Sequence, residues 1–75
     1  MSITEHEERQ MVLGYYTGTV LEATIMPDDS PFFIHGFKCG RDDVEIAEGI
    51  RKIPIMTPER TKSDLDMIMS MMSDE

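Results

Sequence analysis

His35 and Cys39, four residues apart, are the first pair in this chain that could do chemistry, because an imidazole beside a thiol can serve as base and nucleophile. Their surroundings, Phe32-Phe33-Ile34-His35-Gly36-Phe37-Lys38-Cys39, read as a β-strand. On a strand the two share a face but stand more than ~13 Å apart, at ~3.3 Å per residue. Contact between them is therefore not expected, and packing in or near the core is the better account of both. His6 begins His-Glu-Glu, but a metalloprotease helix needs a second histidine where Gln10 stands. The paired carboxylates Asp28-Asp29 and Asp42-Asp43 fall in expected turns, where Asp bonds local backbone, and no calcium-loop spacing accompanies them. The five glycines build no phosphate loop, and each falls at an expected boundary, turn or bulge. His6, His35 and Cys39 are the only imidazole or thiol ligands, one short of a tetrahedral set. The sequence thus assigns no catalytic residue, no cofactor and no metal, and it points away from an enzyme.

The methionines carry more. There are eight, four of them within Met67-Ile68-Met69-Ser70-Met71-Met72. Methionine is flexible and polarizable and recurs on adaptable binding surfaces. Leu65, Ile68, Met69 and Met72 fall on one face of a helix, and Met67 and Met71 widen that face to one flank. The stripe is wider than a small sheet would cover, so part of it is expected to stay exposed. With Asp64 and Asp66 beside it, and Asp74 and Glu75 beyond, it suits a partner groove with basic rims. Asp64, Leu65, Asp66, Met67, Ile68, Met69, Met71 and Met72 are accordingly the expected partner-binding residues.

The elements that would hold these residues read as follows. Residues 2–13 form a short helix, capped by Ser2 with Glu5 or by Thr4 with Glu7, and stopped at Gly14. Residues 15–26 are rich in Thr, Val and Ile, with Leu21, Ala23 and Ile25 alternating against Glu22 and Thr24, which favours a strand over a short helix at 20–26. Pro27 to Pro31 is a turn, and the strand at 32–39 closes an antiparallel hairpin. Residues 44–56 support two readings. One is a helix with Asp42 and Glu45 as a capping pair, Ile46, Ile50 and Ile53 on one face, and Pro54 as the stop. The other, slightly favoured, is two short strands around Ala47-Glu48-Gly49. The four-strand version resembles, in pattern alone, a small bent SH3-like barrel. Residues 57–73 form the clearest element, a helix with Thr57 as N-cap and Pro58 in its first turn. The expected fold is one α+β domain: a small antiparallel sheet of two to four strands, a short N-terminal helix and a longer C-terminal one.

Charge narrows the function. The 75 residues carry 15 acidic and 7 basic side chains, a formal net charge of −8. Residues 1–29 hold six acids and one base, residues 30–58 four of each, and residues 59–75 five acids and two bases. That balance opposes binding to a phosphate backbone, which rewards excess Lys and Arg. The lone cysteine, the polar N-terminus and the lack of a long apolar run point to a cytoplasmic protein without a membrane span. The leading expectation is a non-catalytic binding or regulatory protein that occupies the surface of a protein partner, one with a basic surface. A second reading is an acidic nucleic-acid mimic that inhibits a DNA- or RNA-binding protein, as small proteins of mobile elements do. A third is a homo-oligomer that binds a small anionic ligand at subunit interfaces through Arg41, Arg51 or Lys52. A fourth, a nucleic-acid-binding sheet, would need Lys38, Arg41, Arg51 and Lys52 on one face.

Overall fold

The computed structural model describes residues 3–72, and among them there are three helices and no strand. Helix α1 spans Glu5–Gly18, α2 spans Pro31–Ala47 and α3 spans Pro58–Met72. The expected α+β sheet is thus overturned. The Ser2 alternative for the first cap lies outside the described residues. The cap that forms is the Thr4–Glu7 box: Glu7 N donates to Thr4 Oγ1, and Thr4 N donates to Glu7 Oε1. Such a cap contributes about 1 kcal/mol. Ser30 caps α2 by accepting from Phe33 N, and Pro31 occupies its first turn, where a missing N–H costs nothing. Thr57 caps α3 by accepting from Arg60 N, as expected, with Pro58 next.

The physical reason for helices in place of strands is the packing of α1 on α2. Met11 lies on Gly36 and Tyr15 on Gly40, while Gly14 lies on Phe33 and Gly18 on Phe37. Both helices advance together along this seam, so they run parallel. The backbones approach so closely that a Cβ on Gly36 would stand 2.0 Å from Met11 O, and one on Gly14 would stand 2.1 Å from Phe33 O. Two Gly-x-x-x-Gly repeats, Gly14/Gly18 and Gly36/Gly40, thus meet face to face, the arrangement by which small residues let helices pack backbone to backbone. This burial outweighs the β-propensity of Tyr15, Tyr16 and Thr17, which extend α1, and of the Phe-rich stretch 32–37, a weak preference set by context, while residues 19–26 are neither strand nor helix. Phe32 and Phe37 are buried beside the seam.

Parallel neighbours need a return path, and residues 19–30 supply it. Arg41 fastens that path: its Nε donates to Gly18 O and its Nη2 to Val20 O and Ala23 O, while its guanidinium lies 4.9 Å from the Phe37 ring centroid. Residues 44–56 match neither expected form. Helix α2 runs through Ala47, Gly49 takes a left-handed φ of 79°, and the chain then crosses irregularly to α3. Asp42, expected in a turn, sits buried on α2 and fixes this crossing by accepting from Ile55 N and Met56 N at 2.9 and 3.2 Å. Arg51 pairs with Glu45 at 2.9 Å and approaches Asp42 at 3.7 Å. Helix α3 meets α2 over a far smaller interface than α1 does, and Ile68 is its one fully buried apolar side chain among the described residues.

Candidate functional site

Helix α3 places the expected partner-binding residues on different sides. Ile68 is buried and Leu65 half-buried, so the inward stripe is Leu65–Ile68, with Met69 half-buried beside it. Met72, expected on that stripe, is exposed instead. Met67 and Met71 are 57% and 62% exposed. They form one wall of a shallow groove of about 280 Å³ whose other wall is Pro31, Ile34 and Lys38 of α2. Asp66 is exposed, and Asp64 is half-buried at the groove floor. The expected flank at Asp74 and Glu75 lies outside the described residues. On the opposite side of α3, Met56, Leu65 and Met69 line a wider open groove of about 980 Å³. The helix therefore stands as a ridge between two apolar grooves.

Beneath that ridge the structure corrects the sequence reading of His35 and Cys39. On a helix, residues four apart are neighbours, and Cys39 Sγ lies 3.8 Å from His35 Nε2. Across the ring, His35 Nδ1 lies 3.5 Å from Asp64 Oδ2, an ionic distance without hydrogen-bond alignment. His35 is 4% exposed, so Asp64 sets a carboxylate of α3 against a buried imidazole of α2. Burial pushes the Cys39 thiol above its ordinary value, partly opposed by its hydrogen bond with Thr61, while the carboxylates of Asp43, Asp64 and Asp42 reinforce the rise. A thiol held protonated is a weak nucleophile. The trio connects the two helices, and His35 and Cys39 line an open apolar groove of about 350 Å³ with Met11, Tyr15 and Leu65. Sequence reasoning missed the trio because it placed the pair on a strand, although spacing i, i+4 was its signal.

Other expected features fall as follows. Asp29 accepts locally from Met26 N, as a turn aspartate does. Asp43 sits on α2 and accepts from the Tyr15 hydroxyl. His6 is an exposed helix residue. Among the aromatic side chains, Phe32 and Phe37 are core, whereas Tyr16 is 66% exposed. Lys38, Arg41 and Arg51 line one cleft, and Lys52 is not part of it. Four of the five glycines, expected at boundaries and turns, instead form the α1–α2 seam, and Gly49 alone sits in a turn. No group of three or more His, Cys, Asp or Glu among the described residues could hold a metal ion. No helix there is long and apolar enough to cross a membrane. In comparison with known proteins, no family, no curated protein and no solved structure matches the chain.

Proposed function

We propose that the protein acts by binding a protein partner, with Met67 and Met71 of α3 and Ile34 of α2 as the contact surface. One observation carries this reading: two adjacent methionines more than half exposed, on the helix that is least tightly packed. Thioether side chains adapt to a partner's shape at low strain, and an apolar groove between two helices is the usual seat for an amphipathic segment.

A photo-crosslinking amino acid at position 71, with Glu48 as the control position, tests the proposal in extract of the native host. A discrete adduct from position 71 that is absent from position 48, and is lost on Met67→Lys, supports it. The adduct should persist at high salt, because apolar contacts are not screened. Equal adducts from both positions would contradict it, and an adduct abolished by salt would favour the nucleic-acid mimic.

A further inference from the structure

The seven basic side chains are not spread evenly: Lys38, Arg41, Arg51 and Arg60 line a single cleft of about 350 Å³ between α2, the 48–57 crossing and the start of α3. The two carboxylates in the same wall, Asp42 and Glu45, are both engaged by Arg51, and Asp42 also holds two backbone N–H groups. Arg41 is turned onto three carbonyl oxygens of the 18–23 segment. Lys38 and Arg60 are exposed and have no carboxylate partner among the described residues. The cleft therefore carries two uncommitted cations in a molecule whose formal net charge is −8. Beneath them lie the Phe37 ring, Ile55 and Met56.

We infer that this cleft binds a small amphipathic anion, an aromatic or branched apolar body bearing one carboxylate or phosphate. The apolar body would rest on Ile55 and Met56, and the anionic group would sit between Lys38 and Arg60. A volume at the lower end of ligand pockets, roughly 300–1,000 Å³, fits a single ring with its charged group. Arginine supplies fork geometry for a carboxylate or phosphate and lysine a point charge, so the pair accepts either group. The site lies within one chain, unlike the subunit-interface site expected from Arg41, Arg51 or Lys52.

Protein-observed NMR with phenyl phosphate and benzoate as probes tests this, with phenol and inorganic phosphate as the halves of the ligand. The expected result is saturable shifts of the Ile55 and Met56 methyl groups with at least one anionic aryl probe, and at least about tenfold weaker binding of phenol and of phosphate alone. The double variant Lys38→Met with Arg60→Met should weaken binding about tenfold or more, and Lys52→Met should leave it unchanged. Both altered side chains are exposed, and the methyl shifts of the unaltered protein stand as an independent readout. Absence of saturable shifts with both anionic probes would overturn the inference, as would affinity unchanged in the double variant.

Discussion

A buried imidazole must find partners for both ring nitrogens, because an unpaired polar group away from water costs roughly 1–3 kcal/mol. His35 meets this at one nitrogen only: Nε2 lies 3.8 Å from Cys39 Sγ on its own helix, while Nδ1 faces Asp64 Oδ2 at 3.5 Å without an aligned hydrogen bond. The Asp64 distance is long for a hydrogen bond and spans two helices, so it is the contact that changes with the position of α3. The neighbouring acids give a measurable pH response. Tyr15 is held above its ordinary 10.0, first by its hydrogen bond to Asp43 and then by burial. Cys39 is held above its ordinary 9.0, first by burial. Each group binds its proton more tightly in the folded state, so its contribution is full below its ordinary value and is lost as pH rises through the folded value. Thermal unfolding should show stability falling from about pH 9 upward. Tyr15→Phe should remove part of the slope above about pH 10, and an unchanged slope would contradict the assignment.

At the scale of elements, the α1–α2 seam makes an unusual demand. Alanine normally stabilises a helix interior by about 1 kcal/mol over glycine. Here the added Cβ would meet backbone oxygen at 2.0 Å at Gly36 and at Gly40. Gly36→Ala and Gly40→Ala should each destabilise the protein by about 3 kcal/mol, at the upper end of overpacking costs, as read by urea unfolding. A stabilised variant would show that the helices do not touch there. The same seam explains what was legible in the sequence. Two of the three caps were, because Thr4/Glu7 and Thr57-Pro58 are local chemistry, whereas Ser30-Pro31 reads as a turn before a strand and is in fact the cap of α2. Helix α3 was, because Leu65, Ile68 and Met69 satisfy one period only. The stretch 32–40 was not. Phe33, His35, Phe37 and Cys39 alternate as a strand would, while Phe32, His35, Gly36, Cys39 and Gly40 fit a helical face equally well. The choice rests on the pairing of Gly36 and Gly40 with Gly14 and Gly18, a long-range match that no local window contains. The candidate site was legible as residues but not as a surface: Met67 and Met71 were singled out, and their groove partner Ile34 was hidden by the strand reading.

The whole molecule is a tightly closed pair, α1 on α2, with a third helix held by Ile68, Leu65 and the His35–Asp64 contact. That asymmetry makes α3 the element free to adjust to a partner, since segments with few buried contacts open at lower free energy than the global transition. The proposed docking surface and the proposed anion cleft both border α3, so occupancy of either would act on the same loosely held element. Amide hydrogen exchange of the isolated protein under native conditions tests this division most directly. Amides of residues 64–71 are expected to exchange at least about tenfold faster than those of residues 36–41, through an opening smaller than global unfolding. Equal protection of the two segments, both at the level of global unfolding, would contradict it.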